Sequence, residues 1–146
     1  MHPSDRTPHI VIIEHTSSIR SLFRELLSEE PYRVTVLGKR PVSMDEIARL
    51  VPDVIVHDYS AVQEGADLSA LQRLVADPRT CHIPLIVCSA SPDVETIVEQ
   101  LGGATVTVVP KPFLLDDILG AIEAGARSHM HLPAQWAYRP ELDANA

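Results

Sequence analysis

Asp58 closes the apolar run Asp53-Val54-Ile55-Val56-His57-Asp58, and a second apolar run far downstream ends at Lys111-Pro112-Phe113. A carboxylate and an ammonium at two strand ends stand where chemistry is done, because an open parallel sheet binds ligands beyond the carboxyl ends of its strands. Two further strand ends carry Glu14-His15 and Ser89. An acid beside a carboxylate nucleophile can hold a divalent cation through oxygen, a lysine can neutralise a developing phosphoryl group, and a hydroxyl can bind its oxygens. These are the parts of a phosphoryl-acceptor pocket.

The elements that must position them can be read from the apolar pattern. Five β-type runs recur, at His9–Ile13, Tyr32–Leu37, Asp53–His57, Ile83–Cys88 and Thr105–Val109, rich in Val and Ile and mostly without alternation. Strands buried on both faces read this way. Between them lie helix-period segments at Ser18–Ser28, Ser43–Leu50, Leu68–Ala76, Pro92–Leu101 and Leu114–Ala126. Ile19, Leu22, Phe23, Leu26 and Leu27 share one face of the first. Ser43 three residues before Glu46 is a capping-box pattern, and Pro92 suits a first helical turn. The order is (βα)5, an α/β architecture with right-handed crossovers and helices on both faces of one parallel sheet. A closed barrel needs eight such units, so the sheet is open. The first turn, Glu14-His15-Thr16-Ser17-Ser18, lacks glycine, which argues against a dinucleotide fingerprint or a P-loop.

At 146 residues the chain suits one domain with a single core. Its formal charge is −8, from 12 basic and 20 acidic residues, and no stretch gathers Lys and Arg on one face. Nucleic-acid binding is therefore not expected, since it needs a positive footprint. No apolar run approaches the length of a membrane span, and Met1–Pro8 lacks a signal-peptide core, so a cytoplasmic protein is expected. Cys81 and Cys88, seven residues apart, would lie about 23 Å apart along a strand. That far exceeds the roughly 7 Å a disulfide allows, and both read as small buried side chains. After Arg127 the period fades. The chain divides into an extension at 1–8, a domain at 9–126 and a tail at 127–146. In the tail, His129 and His131 read as polar residues of a mobile segment rather than a metal pair. Trp136 and Tyr138 call for an apolar partner, on the domain or in a homodimer.

The order and spacing of Ile12-Ile13-Glu14-His15 with Arg20, Val56-His57-Asp58, Val87-Cys88-Ser89-Ala90 and Val109-Pro110-Lys111-Pro112-Phe113 resemble the receiver domains of two-component response regulators, from His9 to about Ala126. The resemblance implies the flavodoxin-like fold with strand order 2-1-3-4-5. It implies that Asp58 accepts a phosphoryl group from a sensor histidine kinase or phosphotransfer protein, that Lys111 pairs with the phosphate, and that Ser89 swings toward it. It also implies a cis Lys111-Pro112 bond and Mg²⁺ held by Glu14, Asp58 and the Ser60 backbone. Output would be a protein contact on a downstream target, through a surface of the fourth and fifth helices. No enzyme activity is expected.

Three departures stand beside the match. Receivers usually carry two adjacent acids after the first strand, whereas here Glu14 is followed by His15. An imidazole is a poor ligand for Mg²⁺, so its affinity should fall, and Mn²⁺ becomes an alternative. His15 admits two readings: a side chain hydrogen-bonded to Asp58 or Glu14, or a ligand for a softer ion. After the acceptor, the family's Met-Pro and acidic-Gly give way to Tyr59-Ser60-Ala61-Val62-Gln63-Glu64-Gly65, and Val108 stands where many receivers place Tyr or Phe. These departures favour a runner-up, an adaptor or dimerisation module that works without phosphate. A third reading, a phosphohydrolase with Asp58 as nucleophile, lacks the acid two residues on, where Ser60 stands.

Overall fold

The computed structural model describes residues 6–38, 42–60, 64–102 and 105–130. Strands β1 (His9–Glu14), β2 (Arg33–Gly38), β3 (Val54–Asp58), β4 (Leu85–Ser89) and β5 (Val106–Pro110) alternate with helices α1 (Ser17–Leu27), α2 (Met44–Leu50), α3 (Glu64–Ala76), α4 (Val94–Leu101) and α5 (Leu115–Met130). All pairs in the sheet are parallel, in the order β2-β1-β3-β4-β5. The expected (βα)5 open sheet is thus the observed fold.

Strands β1, β3 and β4 are buried along their whole length, while the edge strands β2 and β5 are not. Apolar runs without alternation therefore mark the centre of the sheet. On one face Ile10, Ile12, Val54, Val56, Ile86, Cys88 and Val109 meet Phe23 and Leu27 of α1 and Ile118, Ile122 and Ala126 of α5. On the other, Val11, Ile13, Ile55, Leu85 and Val87 meet Ile47 of α2, Leu71 and Leu74 of α3, and Val94 of α4. Crossovers of one hand distribute the helices in this way.

Helix α5 comes close to the sheet at Gly125, where an added Cβ would lie 3.2 Å from both Pro84 and Val54. Both neighbours are rigid, so a larger side chain must push the helix outward. Gly125→Leu is expected to lose about 1–3 kcal/mol of stability by overpacking. An unchanged denaturant midpoint would show that the gap closes without strain.

The helix ends differ from expectation in three places. Ser43 caps α2 as its pattern suggests, its Oγ accepting from the N–H groups of Asp45 and Glu46. Pro92, however, lies before α4, which starts at Val94 with Asp93 as its cap. The turn that precedes α4 takes the proline's fixed φ instead. Helix α3 begins at Glu64, four residues before Leu68, and α5 runs to Met130, four beyond Ala126. His129 is therefore helical and docked: its Nδ1–H donates to Asp53 Oδ1 at 2.8 Å, and its side chain is 11% exposed. It is a packed helical residue rather than part of a mobile segment. His131, Trp136, Tyr138 and loop residues 61–63 lie outside the described residues.

Asp53 itself is fully buried where the chain enters β3, at the end of the sheet opposite the carboxyl ends. Arg6 donates to both of its oxygens, at 2.7 Å to Oδ2, and the His9 N–H donates to Oδ2 at 2.7 Å. Burial pushes the Asp53 carboxyl up, but the hydrogen bonds from His129, Arg6 and His9 outweigh it and hold the pKa well below the usual carboxylate range.

Candidate phosphoryl-acceptor site

Successive side chains of a strand alternate between faces, so Glu14 follows Ile10 and Ile12, and Asp58 follows Val54 and Val56, onto the α1/α5 side of the sheet. β1 and β3 are neighbours, and the chain leaves them in opposite directions along the sheet, toward β2 and β4. This is the topological switch point where such sheets form a crevice. Glu14 is 1% exposed and Asp58 3%. Two carboxylates this deeply buried and this close need a cation between them.

Lys111 supplies it. Its Nζ donates to Asp58 Oδ1 at 2.9 Å and to Glu14 Oε2 at 3.0 Å. Burial works against the lysine's charge, but the hydrogen bonds to Asp58 and Glu14 outweigh it and raise the pKa. The ammonium is therefore charged throughout the neutral range. The Lys111-Pro112 peptide is cis, and Lys111 N–H donates to Ser89 O at 2.8 Å, which ties the β5–α5 loop to the end of β4.

His15 stands at the mouth, its side chain 35% exposed. Its Nδ1 contacts Asp58 Oδ2 and lies 3.5 Å from Glu14 Oε1. Arg20 fixes this turn by donating from Nη1 to the carbonyls of Glu14 at 3.0 Å and His15 at 2.9 Å. The ligand atoms of Glu14, His15 and Asp58 lie within 4.8 Å of one another. This donor set fits a divalent cation.

Ser89 is buried at the end of β4, but its hydroxyl serves its own loop, with Oγ accepting the Ser91 N–H at 2.9 Å. Meeting a phosphoryl oxygen would require that bond to be given up. Ser60 lies two residues after Asp58, and its N–H donates to Asp67 Oδ2 at 2.7 Å, which fixes the main chain there. Asp67, buried in the first turns of α3, was not singled out from sequence. Its only signal was an acid near a helix start. Cys88 pairs with Asp58 in register on the same face. Burial pushes its thiol up to about 12, against the pull of Lys111.

Residues 10–123 match the family described as "Response regulator receiver domain". The chain belongs to this family. Receiver domains are signalling modules rather than enzymes, and they interact with histidine kinases or phosphotransfer proteins and with downstream effectors. The chain is 30% identical over 123 residues to a protein-glutamate methylesterase/protein-glutamine glutaminase 1 of Anaeromyxobacter dehalogenans, covering 82% of this chain and 33% of that protein. It is 26% identical over 116 residues to the response regulator MprA of Mycobacterium leprae, covering 79% and 49%. It thus spans half or less of these relatives. Among solved structures, it superposes on the signal receiver domain of an HD domain-containing protein from Pseudomonas fluorescens with TM-score 0.70 at 18% identity, covering 85% of this chain and 90% of the other. The chemotaxis response regulator CheY4 of Vibrio cholerae gives 0.68 at 16% identity, covering 82% and 99%. At such identities the likeness shows the flavodoxin-like receiver fold. Among the described residues, no helix of this receiver is long and apolar enough to cross a membrane.

Proposed function

We propose that this receiver accepts a phosphoryl group on Asp58 from a histidine-phosphorylated partner, a sensor histidine kinase or a phosphotransfer protein. The observation that carries the reading is Lys111 bridging Asp58 and Glu14. An Asp58 oxygen attacks phosphorus as the donor imidazole leaves, and the new acyl phosphate carries more negative charge than the carboxylate it replaces. Lys111 is already charged and positioned to meet it, so little reorganisation is needed. Glu14, Asp58 and the Ser60 backbone, with His15 beside them, would hold a divalent cation, which would neutralise further phosphoryl charge. Ser89 adds a donor to a phosphoryl oxygen once it releases Ser91. A cytoplasmic location follows from this reading where the donor is a kinase that draws on cytoplasmic ATP.

The switch works only if phosphorylated and unphosphorylated pockets favour different arrangements of the binding surface. Leu114 and Leu115, 70% and 49% exposed at the start of α5, lie beside the loop that carries Lys111 and are apolar contacts for a downstream target. A second reading, an adaptor that works without phosphate, is favoured by one observation: His15 already occupies Asp58 Oδ2. To separate the two, wild type and Asp58→Asn are incubated with acetyl phosphate and Mg²⁺ or Mn²⁺ and weighed intact. A phosphoryl adduct confined to wild type is expected. Folded protein with no adduct under either metal would support the adaptor. Steady phosphate release lost in Asp58→Asn would instead make Asp58 a hydrolytic nucleophile.

A further inference from the structure

The two buried carboxylates divide their oxygens in one way. Glu14 Oε2 and Asp58 Oδ1 receive Lys111, and Glu14 Oε1 and Asp58 Oδ2 are left on the side of His15 Nδ1. One nitrogen and two oxygens therefore converge on a single point, with the lysine on the far side. The other ring nitrogen, Nε2, lies 3.2 Å from Thr16 Oγ1. A carboxylate oxygen only accepts, so in the cation-free pocket Nδ1–H donates to Asp58 Oδ2 and Nε2 is left to accept from the Thr16 hydroxyl. A bound cation would displace that hydrogen; with Nε2–H then donating to Thr16 Oγ1, the Nδ1 lone pair would face the ion, the arrangement by which metal-binding histidines are oriented.

We infer that His15 makes this pocket select a first-row transition-metal dication over Mg²⁺. The inference rests on the reading of Glu14 and Asp58 as the cation-holding carboxylates of a receiver. Mg²⁺ demands octahedral oxygen ligands and gains little from imidazole, whereas Mn²⁺ and the ions after it accept nitrogen with rising affinity. Replacing one oxygen donor by nitrogen therefore weakens one ion and strengthens the other. Lys111 limits the charge the site can take, so the selection comes from donor type rather than from added carboxylates.

Mn²⁺ is the probe. Titration of the whole chain with Mn²⁺ and with Mg²⁺ is expected to give at least about tenfold tighter binding of Mn²⁺, and His15→Asp to bring the two within about threefold by restoring an all-oxygen set. Pulsed electron paramagnetic resonance of the Mn²⁺-loaded wild type should show the nitrogen-14 coupling of a directly bound imidazole, absent in His15→Asp. Equal affinities in wild type, bound Mn²⁺ without nitrogen coupling, or folded protein that takes up no Mn²⁺ would each overturn the inference. A wild-type phosphoryl adduct without the nitrogen signal removes only the ion preference. The nitrogen signal without an adduct removes the phosphoryl-acceptor reading and leaves the preference standing.

Discussion

Asp53→Asn is expected to cost about 3–5 kcal/mol of folding stability, the range for breaking a buried ion pair. The amide keeps the shape of the carboxylate but turns one acceptor into a donor. Arg6 donates to both oxygens, with His9 N–H and His129 Nδ1 adding one bond each, so one of these donors must face the new N–H₂. Against a total of about 5–15 kcal/mol, the loss is large. It should also depend on pH in a particular direction. The Asp53 pKa is depressed on folding, so its contribution is fully present above the ordinary value of 3.8 and is lost as pH falls toward the folded value. Urea unfolding of both proteins from pH 7 to pH 3 should show the gap between them closing below about pH 4. A gap under about 1 kcal/mol at pH 7, the size of an exposed pair, would mean that the cluster is solvated in solution.

Lys111→Met should slow phosphoryl acceptance from acetyl phosphate by about 10²–10³-fold, the cost of removing one preorganised donor to transition-state charge. Methionine matches the stem and fills the space but cannot neutralise charge. The loss should be nearly constant from pH 6 to 9, because the raised lysine pKa keeps the ammonium charged until pH rises above its ordinary 10.5. The same shift implies a stabilising contribution that is present throughout that range and fades only at higher pH. A rate within about threefold of wild type would show that the cation in the pocket, rather than Lys111, carries the charge of the reaction.

Much of the fold was legible because β1, β3 and β4 are buried on both faces, which leaves a run of Val and Ile that no surface element imitates. Strand ends then located Glu14, Asp58 and Lys111, since a parallel sheet sends all its carboxyl ends to one side. What escaped depends on contacts between distant residues. Ser128–Met130 carry no apolar period, and α5 continues through them to bring His129 onto Asp53, 76 residues away. Glu64-Gly65 looks like loop sequence, yet α3 starts there. Ser89 has the right type and position for a phosphate contact, and only coordinates reveal its hydroxyl turned to Ser91. The division of carboxylate oxygens between Lys111 and His15 is equally invisible in a one-dimensional pattern.

Cys88 sits in register with Asp58, and its thiol is 1% exposed and pushed up to about 12 by burial. Peroxide attacks thiolate rather than thiol, and burial keeps this sulfur protonated at neutral pH. Oxidative stress thus finds nothing to convert to sulfenic acid at the sulfur nearest the pocket. The residue fills space beside Asp58 without adding a redox-sensitive group to the pocket.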